Sequence, residues 1–154
     1  MIARDVMTTR FHCLHPSDTV AAAIRAFDRA GRAEGRRVFG MMVTDDNGHL
    51  VGMLSMYDIL VFIQPKHVQI WGEMDDLDPG PLFETLLERV KHVRVEDIMT
   101  TEVATVKPET HLLVIVDLMI NRHIRRLPVV AAGVIVGMVY RSDVFFSLLN
   151  RFME

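Results

Sequence analysis

The sequence predicts an α+β protein with α/β-type layers, in which two β-α-β-β-α repeats pack together with pseudo-twofold symmetry. Three observations predict this fold class. One phrase occurs near the start of each half of the chain, another occurs near the end of each half, and short apolar strands alternate with helical patterns between them. Self-similarity over a long period determines the architecture before any single element is assigned.

The opening phrase consists of an acidic residue, an apolar residue, Met and two Thr. It is written DVMTT at residues 5–9 and DIMTT at residues 97–101, and Pro16 recurs as Pro108 at the same spacing of 92 positions. A shared spacing over this length indicates two copies of one structural unit.

The closing phrase is written LVGMLSMYD at residues 50–58 and IVGMVYRSD at residues 135–143, a spacing of 85 positions. The shorter spacing means that the first copy contains extra residues. Most of them fall in the stretch AGRAEGRRVFG at residues 30–40, and one falls in the turn Asp45–Gly48.

The second copy predicts each element in turn. A short strand covers 103–106, and 107–110 is a helix start with Pro and acidic residues near its positive end. A buried helix covers 111–120, and a hairpin with a Gly-bearing turn covers 127–139. The last helix, 144–152, follows a Ser or Asp cap and has apolar residues at helical spacing.

The first copy predicts the same order: a strand near 10–14, a helix over 18–30, a hairpin over 41–54 and a helix over 58–63. At about sixty residues neither copy buries enough apolar surface to be stable alone, so we expect the two to form one module.

The chain is therefore divided into a first repeat at 1–63, a linker at 64–92 and a second repeat at 93–154. Within the linker, apolar residues at helical spacing over 82–90 predict an amphipathic helix. We interpret it as a helix that packs on the module, and a partner-docking element is the alternative.

Charge and composition exclude several classes of protein. A net charge of −3 and a pI near 6.1 provide no general basic field for nucleic acid or anionic membranes. No apolar run approaches the length of a membrane helix, and Met1–Arg10 lacks a signal-peptide core. The lone Cys13 cannot form an internal disulfide, which favours a reducing compartment and predicts a cytoplasmic protein.

The histidines show no metal-binding spacing, and no Ser has an evident His–acid partner, so no metal site and no catalytic activity are expected.

The paired motifs resemble those of the cystathionine-β-synthase (CBS) domain, and two in tandem resemble a CBS pair, or Bateman module. The resemblance covers about residues 3–62 and 95–152. It implies a regulatory fold whose clefts between the repeats bind an adenosine-type ligand: AMP, ADP, ATP or S-adenosylmethionine. It also implies a homodimer, expected through the apolar last helix of each repeat, and a protein partner that reads the ligand state.

The family's ribose-phosphate motif runs Gly, apolar, any residue, Ser or Thr, two residues, Asp. The first copy matches it with Gly52, Ser55 and Asp58, whereas the second has Asp143 but places Tyr140 where Ser or Thr is expected. An ionised Asp at a helix N-terminus can accept hydrogen bonds from both hydroxyls of a ribose, and the free helix amides attract phosphate. The glycine is expected to let a flat base approach the strand backbone. The simpler alternative is that each Asp only caps its helix.

By the same resemblance, each site draws on both repeats. The Asp143 site is expected to combine Tyr140, Ser142 and Asp143 with Asp18, Val38 and Phe39, and with Arg125 and Arg126 as phosphate-binding residues. The Asp58 site is expected to combine Ser55, Tyr57 and Asp58 with Thr110, Ile115 and Ile124. In the first copy Phe39-Gly40 stands where the basic pair would be, and Arg36 and Arg37 are candidate substitutes.

The resulting prediction is a non-catalytic module that senses adenine nucleotides. The main alternative is a purely structural dimerisation module whose clefts are filled by side chains, with Tyr140 and Phe39 as the candidates. The chain has no P-loop, which argues against a small nucleotide-processing enzyme. Its negative net charge disfavours a nucleic-acid-binding role.

Overall fold

A computed structural model describes residues 1–64 and 79–154; the remainder of the predicted linker, 65–78, lies outside the described residues. The chain forms two compact units. Unit 1 comprises Met1–Cys13, Thr44–Val51 and Glu102–Glu154, and unit 2 comprises Leu14–Val43 and Gly52–Thr101. Each unit therefore combines the leading segment of one repeat with most of the other repeat.

The elements of the described residues are, in chain order, α1 (Ala3–Val6), β1 (Cys13–Leu14), α2 (Val20–Glu34), β2 (Gly40–Thr44), β3 (Leu50–Ser55), α3 (Met56–Ile63), α4 (Gly80–His92), α5 (Val95–Ile98), α6 (Leu112–Asn121), β4 (Arg126–Ala131), β5 (Val134–Tyr140) and α7 (Arg141–Phe152). Strands β1, β2 and β3 form one sheet in that order, and β4 pairs with β5 in a second. The mixed class and the two repeats are confirmed, and the mutual packing of the repeats stays a prediction.

Unit 1 is held together by the leading segment of the chain. The amide of Ala3 donates to the carbonyl of Thr110 at 2.8 Å, the amide of Arg4 donates to Pro108 at 3.0 Å, and Leu112 donates to Met1 at 3.0 Å. These bonds tie α1 to the start of α6 and satisfy backbone groups that would otherwise be unpaired. The core of unit 1 consists of Ala3, Val106, Leu112, Ile115, Met119, Leu127, Val129, Val139 and Val144.

Unit 2 repeats this arrangement with the leading segment of the second repeat. The amide of Val20 donates to the carbonyl of Val93 at 2.8 Å, and the amide of Val95 donates to Asp18 at 2.8 Å. Backbone hydrogen bonds therefore join α5 to the start of α2, as they join α1 to the start of α6. Buried apolar residues of unit 2 include Leu14, Val20, Ala23, Met41, Met42, Val43, Leu54, Ile59, Val90 and Val95.

Helix α4 confirms the amphipathic helix predicted from the linker. It begins at Gly80, with Pro near the first position, and packs against α2 and α3 through a face that includes the buried Val90. Its other face is exposed, including Phe83. Helix α4 therefore packs on its own chain as part of unit 2.

Two predictions for the second repeat are wrong. Residues 103–106 form no strand: only Val106 makes a parallel bridge, to Val129. Residues 107–110 form a turn, in which the Thr110 hydroxyl accepts from the amide of Lys107 at 2.9 Å, and the helix begins at Leu112. The carbonyl of Pro108 accepts from the amide of Arg4 in α1, so this stretch binds a segment that is distant in sequence.

Helix α7 starts three residues earlier than predicted. Its N-cap is Tyr140, with φ −101° and ψ 143°, and Ser142 and Asp143 lie within the first turn. The acidic residue still lies where the helix dipole favours it. The short helices α1 and α5 were not predicted, because four residues are too few to show a helical period.

No helix of the described residues has the length and apolarity needed to cross a membrane. Cys13 is a free thiol, in keeping with the absence of a partner cysteine in the sequence. Its pKa is raised because the side chain is largely buried, although a hydrogen bond with Thr44 acts in the opposite direction.

Candidate functional site

The first candidate carboxylate, Asp58, lies in unit 2 where β3 passes into α3. Ser55 is the N-cap residue, and its hydroxyl accepts from the Asp58 amide at 3.3 Å. In return, Asp58 Oδ2 accepts from the amide of Ser55 at 2.8 Å and from its hydroxyl at 3.0 Å. This is a capping box, with Asp in the third helical position. The capping role considered as the simpler alternative is therefore present at Asp58.

Thr100 adds a contact that the sequence did not predict. Its hydroxyl donates to Asp58 Oδ1 at 3.0 Å, although the two residues are 42 positions apart. Reciprocal backbone bonds between Met53 and Thr100, at 2.8 and 2.9 Å, hold this threonine beside the strand. Both carboxylate oxygens of Asp58 are therefore occupied by groups of unit 2.

The second candidate carboxylate, Asp143, lies in unit 1 at the equivalent turn between β5 and α7. Its N-cap residue, Tyr140, makes no side-chain capping bond. Thr8 occupies the position equivalent to Thr100 and exchanges backbone bonds with Met138 at 2.9 Å, but its hydroxyl contacts Arg10 and does not reach Asp143. Within residues 1–64 and 79–154 no hydrogen bond or ion pair engages the half-buried Asp143 carboxylate.

The start of each helix is fixed by a backbone carbonyl that precedes the neighbouring strand. In unit 1 the amide of Arg141 donates to the carbonyl of Arg125 at 3.0 Å, and in unit 2 the amide of Met56 donates to Phe39 at 2.7 Å. Arg125 and Phe39 are therefore structural equivalents. The prediction that Phe39-Gly40 occupies the place of a basic pair agrees with this geometry.

An open groove of about 600 Å³ lies in unit 1 beside the start of α7. Three predicted site residues, Arg125, Tyr140 and Ser142, line it. Arg126 lies directly opposite Tyr140 in the pairing of β4 with β5. The other lining residues come from α6 and α7: Val116, Met119, Ile120, Arg141, Val144, Phe145, Phe146 and Leu148.

A second groove, of about 540 Å³, lies in unit 2 at the end of α2. Val38 and Phe39 line it, together with Arg36 and Arg37, the candidate substitutes for the basic pair. The carbonyl of Phe39 accepts from the amide of Met56, at the start of the helix that carries Asp58. The sequence had assigned Phe39 to the Asp143 site. The remaining lining residues are Phe27, Asp28, Gly31, Arg32 and Gly35.

The remaining predicted site residues have structural contacts of their own. Asp18 accepts from the amide of His15 at 2.8 Å through its side chain. Ile124 packs against the core of unit 1, and Ile115 is fully buried within it, so Ile115 offers no surface to a ligand in this conformation. Tyr57, by contrast, is 73% exposed.

The members of each predicted site fall in different compact units, so the completed clefts stay a prediction. Thr110, Ile115 and Ile124 belong to unit 1, whereas Ser55, Tyr57 and Asp58 belong to unit 2; Asp18, Val38 and Phe39 belong to unit 2, whereas Arg125, Arg126, Tyr140, Ser142 and Asp143 belong to unit 1.

The repeated glycines lie close to methionines of the opening phrases. A Cβ on Gly52 would lie 2.7 Å from Met99 Sδ, and a Cβ on Gly137 would lie 2.6 Å from Met7 Sδ. These distances are far below van der Waals contact, so any larger residue would force the methionine to move. The backbone carbonyls of Thr100 and Thr8, at 2.9 and 3.1 Å from the same Cβ positions, restrict the space further. In this structure the space beside each glycine is occupied by a methionine side chain, and the approach of a base to the strand stays a prediction. The sequence signal for this contact was that each repeat has one Met in its opening phrase and one Gly in its closing phrase.

Groups of three or more His, Cys, Asp or Glu side chains placed to hold a metal ion are absent from the described part of the chain. The chemistry available at the two helix starts is therefore that of carboxylate acceptors, helix amides and, in unit 1, guanidinium groups.

Comparisons with known proteins agree with the repeat structure. The CBS domain model matches residues 3–65 and 95–150. CBS domain-containing protein CBSX2, a chloroplastic protein of Arabidopsis thaliana, is 29% identical over 161 residues, which cover 95% of this chain and 63% of that protein. The chain thus spans less than two thirds of the length of this relative.

Solved structures share the fold. The crystal structure of CBSX2 in complex with AMP superposes with a TM-score of 0.72 at 28% identity, covering 98% of each chain. The cytosolic domain of the Mg²⁺ channel MgtE in complex with ATP superposes with a TM-score of 0.68 at 25% identity, covering 95% of this chain and 48% of that one.

Proposed function

Since the chain belongs to the CBS domain family and contains two such domains, we propose that it is a non-catalytic regulatory module that binds an adenosine-type ligand and transmits its ligand state to a protein partner. The observation that carries this proposal is the likeness to CBSX2, whose structure in complex with AMP matches 98% of this chain. The ATP complex of the MgtE cytosolic domain supports the same class of ligand.

The helix starts supply the chemistry that such a ligand requires. Ribose presents two adjacent hydroxyls as donors, and a carboxylate held at a helix N-terminus accepts both. Phosphate is attracted to unsatisfied helix amides and to guanidinium groups, which bind its oxygens in a planar, bidentate manner. Asp143 and Arg125 provide these groups at the start of α7.

The expected signal is a change in the arrangement of the two repeats. A ligand shifts a conformational equilibrium only by the difference between its affinities for the two states. A nucleotide that contacts residues of both repeats would have such a difference, and a partner protein would respond to the favoured state.

Self-association is the second part of the proposal. Helix α7 exposes Phe145, Phe146 and Phe152, and α3 exposes Leu60 and Val61 at the positions equivalent to the first two. Apolar faces of this kind are usually covered in an assembly. A homodimer formed through these helices would bury them, and light scattering after size exclusion measures its mass. A monomer at micromolar concentration would contradict this part.

Binding itself is tested by titration calorimetry of the protein with AMP, ADP, ATP and S-adenosylmethionine, with and without magnesium. Saturable heat with at least one of them supports the sensor. No heat from any of the four at millimolar concentration would reject it.

That negative outcome would favour the second candidate, a purely structural dimerisation module. The observation on its side is Asp58, whose carboxylate is already occupied by Ser55 and Thr100. Location in the cytoplasm stays a prediction, since the relative CBSX2 is chloroplastic.

A further inference from the structure

We infer that the outward face of α2 and the groove at its end form a docking surface for an acidic segment of a partner protein. The carboxylates of that segment pair with arginines of α2, and an apolar side chain of the segment enters the groove. The inference goes beyond the proposed function, because docking on this surface requires no nucleotide.

The outward face of α2 carries a row of arginines. Arg25, Arg29 and Arg32 recur at intervals of four and three residues, which places their side chains on one side of a helix. All three are exposed, and buried residues of the helix such as Ala23 and Ala30 lie on the opposite side. The row therefore faces away from the core of unit 2.

Three arginines of this region are available to a ligand. Arg25, Arg29 and Arg37 form no ion pair and no side-chain hydrogen bond within residues 1–64 and 79–154. Residues 20–39 contain five arginines against one Asp and one Glu, a net charge of +3, although the whole chain has a net charge of −3. Positive charge is thus concentrated on one part of an acidic protein, where it attracts an acidic ligand.

The other two arginines have carboxylate neighbours within the region. Arg32 Nε lies 3.1 Å from Asp28 Oδ2, and Arg36 Nε lies 3.0 Å from Glu34 Oε2. Ion pairs between exposed side chains contribute little free energy, so the exposed Arg32 can exchange Asp28 for the carboxylate of a ligand at small cost.

The groove beside this row is formed where the chain turns back on α2. The amides of Gly35, at φ 66°, and of Arg36 both donate to the carbonyl of Gly31. A Cβ on Gly31 would lie 2.8 Å from the carbonyl oxygen of Arg36, so the returning chain lies directly against the helix. The groove, of about 540 Å³, is therefore bounded by backbone that hydrogen bonds hold in place.

The lining of the groove is both apolar and basic. Phe27, Val38 and Phe39 provide apolar surface, and Arg32 and Arg37 line the same groove. None of its described lining residues belongs to α3, the helix that carries the Asp58 carboxylate. An apolar side chain can be buried here while neighbouring carboxylates reach the guanidinium groups, and arginine and aromatic residues dominate the energetics of protein interfaces.

Much of the surface lies in residues that the second repeat lacks. Helix α2 has 15 residues, whereas α6, its counterpart, has 10. The two helices begin at equivalent positions, Val20 and Leu112, so α2 is longer by about one and a half turns at its end. Most of residues 30–39 are exposed. The addition therefore contributes little to the core and much to the charged surface.

The charge of the remaining chain favours a peptide over larger polyanions. Since residues 20–39 are positive and the whole chain is negative, the rest of the chain is strongly acidic. A nucleic-acid duplex or an anionic membrane would meet that negative charge, whereas a peptide segment contacts only the arginines and the groove. A helical segment with Asp or Glu at the same intervals would place carboxylates opposite the arginines.

The test is fluorescence anisotropy, without nucleotide, of a fluorescein-labelled peptide that has Glu residues at helical spacing and one Phe among them. Wild type should give saturable binding that weakens as salt is raised, because exposed charges are screened. The same peptide with Gln in place of Glu, or with Ala in place of Phe, should bind at least about threefold more weakly.

Two double variants assign the binding to α2. Arg25→Gln with Arg29→Gln removes two guanidinium groups of the row and should weaken peptide binding by about 3- to 30-fold, as expected for two exposed ion pairs. The matched control is Arg10→Gln with Arg122→Gln, which changes the net charge equally at exposed positions outside the surface. The control should alter the affinity by less than about twofold.

Absence of saturable binding would overturn the inference, and so would equal losses in the two double variants, which would show a response to net charge alone. Equal binding of the peptide with Ala in place of Phe would overturn the role of the groove. Oligothymidine or phosphatidylserine vesicles that bind more tightly than the peptide, and lose binding in the α2 variant, would overturn the choice of a protein partner.

Titration of AMP into the same wild-type protein separates this inference from the proposed function. A chain that binds AMP but not the peptide retains the proposed sensor and loses the docking surface. A chain that binds the peptide but no adenosine ligand retains the docking surface and loses the sensor.

Discussion

Units 1 and 2 have the same internal packing but different helix starts. In both, a leading methionine fills the space beside a strand glycine, and a leading threonine pairs with the same strand through its backbone. In unit 2 that threonine, together with a serine, also occupies the carboxylate of the following helix; in unit 1 the carboxylate has no such partner. The packing of the repeat is therefore preserved while the residues that would contact a ligand have diverged.

The largest expected effects test whether the two cores are equivalent. Leu54 in unit 2 and Leu127 in unit 1 are both fully buried. Replacing either by Ala should lower the free energy of unfolding by about 2–5 kcal/mol, from lost transfer energy and the cavity left behind. Urea denaturation measures both, and Leu113→Ala, which removes a side chain that is 72% exposed, is the control. A large cost in one unit with none in the other would break the comparison.

The glycine–methionine contacts should also respond equally. Gly52→Ala and Gly137→Ala would each force a Cβ into a methionine thioether, and overpacking of this kind costs about 1–3 kcal/mol. Adding Met99→Ala to Gly52→Ala should recover part of that cost, which a double-mutant cycle measures as a favourable coupling. If alanine is tolerated at both glycines, the close approach does not constrain the sequence.

The helix starts should respond unequally. Asp58→Ala removes a capping box and the bond from Thr100, and we expect a loss of about 1–2 kcal/mol in the free energy of unfolding. Asp143→Ala removes only a favourable interaction with the helix dipole, worth about 0.3–1 kcal/mol. The two variants should be compared by denaturation without ligand. Equal losses would mean that Asp143 has a structural role like that of Asp58.

The smallest effect concerns the turns of the two hairpins. The Asp45 carboxylate accepts from the amides of His49 and Asn47, both at 2.9 Å, and the bond from His49 is the main reason that its pKa lies below the usual value. Stability from a carboxyl with a depressed pKa is present above the ordinary Asp pKa and is lost as the pH falls through the folded-state value.

Wild type should therefore have a higher melting temperature than Asp45→Asn at neutral pH, and the difference should shrink as the pH is lowered through the carboxyl range. The turn of the other hairpin, with Ala132 and Gly133 at positive φ, has no carboxylate and supplies no such dependence. A difference in melting temperature that stays constant with pH would show that the ionised form of Asp45 is not what supports its turn.

The repeat architecture could be predicted from sequence because it depends on local patterns that occur twice. The hairpin turns and the existence of the linker helix followed from turn residues and from periodicity, whereas several helix boundaries lay two to four residues from their predicted places. The divergence of the helix starts was also visible in part from the sequence. Tyr140 is the residue equivalent to Ser55 in the other repeat, and Arg125 is the residue equivalent to Phe39.

What could not be predicted depends on contacts between distant residues. The bond from Thr100 to Asp58 spans 42 positions, and the use of Pro108 to hold Arg4 spans still more of the chain. Local patterns carry no information on such pairings. For the same reason 107–110 suggested a helix start, although it forms a turn whose carbonyls accept hydrogen bonds from Ala3 and Arg4.

The exchange of leading segments has a consequence for the ancestry of the chain. In a protein made of a single repeat, the leading segment would not pack against the rest of its own chain. The rest of that chain would need the leading segment of a second molecule. Two such molecules would complete each other by reciprocal exchange, as in a domain-swapped dimer. Joining their genes end to end would give a chain with the segment pairing found here. By this logic, residues 102–154 supplied with a peptide of residues 1–13 form the smallest reconstruction of one ancestral half.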